Sequence, residues 1–153
     1  MVGPNISVAE DSGAQNNVAW ATGISAGPAN ESGQAVKFVL APTGTDATLT
    51  FTAAPSIDPV SGNLQFTAAA NAYGVANYNV SLVDNGGTAN GGVDTFGPLS
   101  FTITVTPEND PPTTVAAPVY AVTTNIQIDV PAPSGLLVGA SDEATEASDP
   151  AGP

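Results

Sequence analysis

Phe101-Thr102-Ile103-Thr104-Val105-Thr106 alternates apolar and hydroxyl side chains without a break. Successive side chains of a strand point to opposite faces, so Phe101, Ile103 and Val105 share one face and the threonines take the other. Upstream, Tyr78-Asn79-Val80-Ser81-Leu82-Val83 has the same period, with Tyr78, Val80 and Leu82 on one side. These two apolar faces are the strongest candidates for the core. The glycine-rich stretch between them, Asp84-Asn85-Gly86-Gly87 with Asn90-Gly91-Gly92-Val93-Asp94, reads as a long hairpin connection.

Working outward, shorter runs rich in Val, Ile, Thr and Phe predict strands over Ile6 to Ala9, Val18 to Gly23, Ala35 to Ala41, Thr48 to Ala53 and Leu64 to Ala68, beside those at Asn77 to Val83 and Leu99 to Thr106. Turn chemistry separates them at Ser12-Gly13, Gly27-Pro28, Ser32-Gly33, Pro42-Thr43-Gly44 and Pro59-Val60-Ser61-Gly62. No stretch carries a helical period. Seven short strands predict an all-β sandwich, with Trp20 as the large aromatic between its sheets.

Charge narrows the partners. Fourteen Asp and Glu face a single Lys, with no Arg or His, for a net charge of −13 in 153 residues. Phosphate binding needs clustered basic residues, so nucleic acid is excluded, and a polyanion is repelled by an anionic membrane face. No apolar run is long enough to span a bilayer. Met1 reads as a start added to an excised fragment, which would place secretion signals outside this chain. Cysteine is absent, so neither disulfides nor thiolate metal sites are available. Without His or Cys, no triad or thiol mechanism can be assembled, and no catalytic residue is expected. Divalent cations bound by oxygen ligands are the natural counter-charge.

The run from Tyr78 to Gly87, followed by Phe101 to Pro112 with its linker Thr106-Pro107-Glu108-Asn109-Asp110-Pro111-Pro112, resembles the end of a cadherin-like repeat. Val8-Ala9-Glu10-Asp11-Ser12-Gly13, Trp20-Ala21-Thr22 and Gly27-Pro28-Ala29-Asn30-Glu31 resemble bacterial immunoglobulin-like repeats of large surface adhesins. The resemblance covers about residues 2 to 112 and sets a first domain at 1–112. In 113–153, possible strands at Val119 to Thr123 and Ile126 to Val130 precede Gly135-Leu136-Leu137 and an acidic stretch, which resembles the opening of a following repeat of the VCBS kind. The run Asp142, Glu143, Glu146 and Asp149 is poor in apolar residues and is expected to be disordered.

The resemblance implies a seven-stranded Greek-key sandwich, immunoglobulin- or cadherin-like, repeated in tandem on the outside of a bacterial cell, acting as a spacer or in cell adhesion and stiffened by Ca²⁺ where repeats join. Its expected partners are neighbouring repeats or identical subunits, and a cell-surface glycan or protein. Laid on this chain, the family fold brings Glu10, Asp11, Glu31, Asp84, Glu108 and Asp110 to one pole as candidate Ca²⁺ ligands. Ca²⁺ takes six to eight oxygens, which makes such convergence the requirement. The second segment has no counterpart of Glu10-Asp11-Ser12-Gly13.

Other readings compete. Strands in 113–153 can complete a neighbour's sheet by β-augmentation, which would make the chain a filament subunit. A carbohydrate-binding module would need Trp20 exposed near Tyr73 or Tyr78. Lys37, on a predicted strand, raises an intramolecular isopeptide bond, against the usual fate of a strand lysine with its head in solvent. The glycine-rich loop lacks the Lys of a P-loop and the alternating acids of an EF-hand. The sequons at Asn5, Asn30 and Asn79 are too short a pattern to carry a role.

Overall fold

The computed structural model describes residues 2–89 and 92–111. Contacts divide the chain into Met1–Pro107 and Glu108–Pro153, and the fold described here is that of the first unit. The possible strands of 113–153 and its acidic run lie outside the described residues.

The hairpin formed by the two most regularly alternating runs is the centre of this unit. Strand β6 (Gly74–Asp84) pairs antiparallel with β7 (Thr95–Thr106), setting Ala76 opposite Ile103, Tyr78 opposite Phe101 and Val80 opposite Leu99. Both apolar faces turn inward: Ala76, Tyr78, Val80, Phe101, Ile103 and Val105 are all buried, while Leu82 is half-buried. On β6's other flank lies β3 (Val36–Thr45), antiparallel from Val36 opposite Asp84 to Thr45 opposite Ala76, with one register shift between Pro42 and Gly44. The short β1 (Ile6–Ala9) joins β7 in parallel, giving a four-stranded sheet ordered β1-β7-β6-β3.

The second sheet is ordered β2-β5-β4, from β2 (Ala14–Asn17), β4 (Phe51–Ile57) and β5 (Leu64–Ala68). Leu64 and Phe66 alternate with exposed Gln65 on its central strand and face the first sheet. The core between the sheets is aromatic at its middle. Phe101 lies with its ring centroid 4.6 Å from that of Trp20 and 5.6 Å from that of Tyr78, the latter stacked, and Phe51 meets Phe66 edge-on at 6.0 Å. Offset and tilted geometries of this kind suit the ring quadrupoles. Burial pushes the Tyr78 phenol above its ordinary value of 10.0. With the chain crossing between sheets after β1, β2, β3 and β5, this is the Greek-key sandwich expected.

One expected strand is absent. Val18 to Gly23 forms a turn and a non-strand segment, in which Ala19 has φ +51° and Val18 is exposed. Its backbone is held from the side instead: the Ala19 N–H donates to Asn63 Oδ1 at 2.9 Å and the Ala21 N–H to the Gly62 carbonyl at 2.8 Å. Trp20 is nonetheless a core residue, 5 % exposed, and its indole N–H donates to the Pro4 carbonyl.

The outer edge strands carry features that discourage edge-to-edge pairing: exposed Lys37 and Pro42 on β3, and Pro55 with two register shifts on β4. Lys37 stands on the solvent face, where an isopeptide bond to a buried partner has no geometry. No helix among the described residues is long and apolar enough to cross a membrane.

The turn between β4 and β5 is organised by one carboxylate. Asp58 Oδ1 accepts the Val60 N–H at 2.8 Å, the Ser61 N–H at 2.6 Å and the Ser61 hydroxyl at 3.0 Å. These donors stabilise the ionised form, with Ser61's N–H first, and hold the Asp58 pKa below its ordinary 3.8. A depressed pKa means the folded state binds this proton less readily than the unfolded chain. The contribution is therefore complete above pH 3.8 and is lost as pH falls through the lower folded value. We expect the Asp58→Asn variant to show less loss of melting temperature than the parent between pH 4 and pH 2.5, as read by circular dichroism. Identical acid profiles would remove Asp58 from the acid response.

Candidate functional site

Strand direction decides where each candidate carboxylate goes. Because β1 runs parallel to β7 with Ala9 opposite Thr106, the β1–β2 turn sits where β7 ends. We call this the distal pole. Asp46 and the start of β6 are there too, since Gly74 pairs with Val105. At the other, proximal, pole are the segment before β3, the end of β6 and the start of β7, because Val36 pairs with Asp84 and Val83 with Thr95.

The six candidate ligands therefore do not share a pole. Glu10 and Asp11 are distal, whereas Glu31, in a 3-10 turn at Ala29–Glu31, and Asp84 are proximal. Glu108 and Asp110 open the second unit, where the Asn109 amide donates to the Asp110 carbonyl at 3.3 Å. The expectation of one pole is corrected on this point: successive connections fall at opposite ends of a sandwich, so the β1–β2 turn and the segment leading into β3 lie at different poles.

The carboxylates that the fold places in turns mostly hold backbone. At the distal pole Asp11, at φ +53°, accepts the Asn71 N–H on Oδ1 at 3.1 Å, and Asp46 Oδ2 accepts the Val75 N–H at 2.8 Å. Gly74, at φ +129°, lets Asp46 approach, for a Cβ there would lie 2.8 Å from its Cβ. Glu10 is 4 % exposed, its own N–H donating to the Thr106 carbonyl at 2.9 Å. At the proximal pole Asp84 Oδ1 accepts the Gly86 N–H at 2.7 Å. Among the described residues no group of three or more acidic side chains is gathered as a metal site would require.

The proximal pole holds a feature that the sequence did not announce. A cleft of about 410 Å³ opens between the Ala21–Gly27 segment and the inner face of the first sheet. Ile24, Phe38, Leu82 and Leu99 line it, and Asp84, Asp94 and the exposed ring of Phe96 also border it. Phe38, Leu82 and Leu99 belong to predicted strands, but the rest of its apolar lining comes from a Ser/Gly/Ala-rich stretch around Ile24 and from Val93 and Phe96 beyond the glycine-rich loop, neither of which shows a strand period. The one available signal was the pair Val93 and Phe96, apolar residues in a stretch otherwise composed for a turn. Tyr73 is half-buried, and with Trp20 inside the core the aromatic platform of a carbohydrate module is not formed around Trp20.

No family model matches this chain, and no curated protein or solved structure does either. What the geometry itself defines is a class: a seven-stranded sandwich with its sheets ordered β1-β7-β6-β3 and β2-β5-β4, approached by the chain at one pole and left at the other.

Proposed function

We propose that this chain is a spacer repeat of a large extracellular bacterial surface protein, joined in tandem to similar repeats and serving cell adhesion by holding a binding region away from the cell. The observation that carries the reading is the parallel pairing of β1 with β7. Val2 borders the proximal cleft beside Leu99, Asn5 Oδ1 accepts the Thr102 N–H at 3.0 Å, and Ala9 ends opposite Thr106. The chain thus travels up one edge and leaves from the opposite pole to its arrival. A domain with its ends at opposite poles adds length with every copy, whereas one with adjacent ends does not. The linker from Pro107 to Pro112, rich in proline, suits a short stiff connection.

The test is a set of one, two and three copies joined through the native linker and measured by small-angle X-ray scattering. β7's 12 residues span about 40 Å at ~3.3 Å per residue. The maximum dimension should grow by at least that amount per copy. A dimension that levels off after the second copy would show folded-back repeats and end the spacer reading.

Calcium belongs to this proposal through charge: fourteen carboxylates against one lysine, with Glu108-Asn109-Asp110 at the proposed junction. Extracellular modules bind Ca²⁺ with Kd near ~10⁻³ M, so 10 mM Ca²⁺ would add about 1.4 kcal/mol. That corresponds to a melting temperature roughly 5 °C higher in the two-copy protein than in chelator. An unchanged melt at 10 mM Ca²⁺ removes the ion from the proposal and leaves the spacer untouched.

A further inference from the structure

The proximal cleft has a definite chemistry. Its walls are aliphatic and aromatic, from Ile24, Phe38 and Leu99, and the charged side chains lining it are both acidic, Asp84 and Asp94. The two aspartates are held close in the fold, since the Asp84 N–H donates to the Asp94 carbonyl at 2.9 Å. Phe96, 64 % exposed, also borders the cleft. The volume of about 410 Å³ falls in the range that accepts small molecules rather than a folded partner.

We infer that this cleft is a binding site for a small organic ammonium ion with an apolar body. The apolar part is covered by Ile24, Phe38 and Leu99, removing it from water. The cationic head stays at the rim between the carboxylates of Asp84 and Asp94, with the face of Phe96 available for a cation–π contact. An anionic ligand of the same shape meets two like charges and no basic side chain, because the single Lys, Lys37, is exposed on the edge strand β3 and does not line the cleft. A neutral ligand gains only the apolar part. Sign selectivity is thus the property that separates this site from a mere packing gap.

The chain's net charge of −13 attracts any cation diffusely, so the experiment must localise binding. The probe is 3-phenylpropyltrimethylammonium, set against 4-phenylbutyrate, in 150 mM salt to screen long-range attraction. Binding is followed by calorimetry and by amide shifts in two-dimensional NMR. The expected result is saturable binding of the cation at least about tenfold tighter than the anion, with shifts confined to residues around Ile24, Leu82 and Phe96. Asp84→Asn with Asp94→Asn should weaken the cation about tenfold or more. Asparagine keeps an acceptor for the Gly86 N–H, so the turn is preserved. Phe96→Ala, at an exposed ring, tests the rim without disturbing the core, and Asp11→Asn at the distal pole should change nothing. Equal affinity for cation and anion, cation shifts scattered over the acidic surface, or no saturation by 10 mM would each overturn the assignment. None of these results bears on the growth of length with copy number.

Discussion

Replacing Phe101 with alanine lowers the free energy of unfolding by about 4 kcal/mol, the largest loss expected from any single side chain here. The ring is 3 % exposed and stands at the meeting point of both sheets, stacked on Tyr78 and tilted against Trp20. Truncation removes both ring contacts and leaves a cavity whose walls cannot collapse easily. One wall is β6, hydrogen-bonded on both sides within its sheet, and another is an indole tied to the Pro4 carbonyl at 2.8 Å. Domains of this size are stable by only about 5–15 kcal/mol, so the variant approaches the threshold of folding. Urea denaturation should show the midpoint displaced with the slope m unchanged, since the surface exposed on unfolding is nearly the same. Trp20 supplies a second readout, because its emission should shift to the red as water reaches the gap. A loss below about 1 kcal/mol would mean that the Trp20–Phe101–Tyr78 stack is not the centre of the core.

How much of this was readable beforehand follows from which physical signal each element carries. β7 and β6 were legible because both strands have one wet and one dry face, and the pleat writes that difference into the sequence with period two. Ile6–Ala9 and Leu64–Ala68 were legible for the same reason and have the expected limits. β2 was not: Ala14-Gln15-Asn16-Asn17 has no apolar alternation, and what makes it a strand is pairing with β5, Ala14 opposite Thr67 through Asn17 opposite Leu64. The apolar residues just after it suggested a strand at Val18 to Gly23, yet Trp20 is buried there by a segment pinned through Asn63 and Gly62. β3 runs on through Pro42 to Thr45 because it is an edge, where a missing N–H is tolerated and a bulge absorbs the register shift.

The candidate sites divide along the same line. That Glu10, Glu31 and Asp84 lie in or beside turns could be read from neighbouring Gly, Ser and Pro. Which pole each turn occupies depends on strand direction, and above all on β1 joining β7 in parallel, a long-range pairing with no local signature. The cleft is harder still. Its apolar residues come from four separate parts of the chain, around Ile24, Phe38, Leu82 and Phe96, and converge only once both sheets are in place.

Gly62→Ala is expected to cost about 2–3 kcal/mol, although it adds a single methyl group in a turn. Gly62 has φ +72°, a left-handed conformation that costs an L-residue about 1 kcal/mol or more. A Cβ there would also run into the carbonyl oxygen of Ala21. That oxygen cannot step aside like the end of a flexible side chain, because the Ala21 N–H is bonded to the Gly62 carbonyl at 2.8 Å and Gly62's own N–H to the Asp58 carbonyl at 2.9 Å. Moving Ala21 weakens the backbone bond from its N–H to the Gly62 carbonyl, which helps to fix the segment next to Trp20 and adds about 1 kcal/mol. Gly13 separates the two contributions: its φ is +74°, nearly the same, but nothing lies within 4 Å of its would-be Cβ. Gly13→Ala should therefore lose only the conformational part, about 1 kcal/mol. Asparagine, which tolerates left-handed backbone, should recover most of that loss at Gly13 and little at Gly62, where the collision persists. Denaturant melts of the four variants decide the matter, and equal losses at the two positions would show that Ala21 can yield and that the cleft wall it begins is not rigidly held.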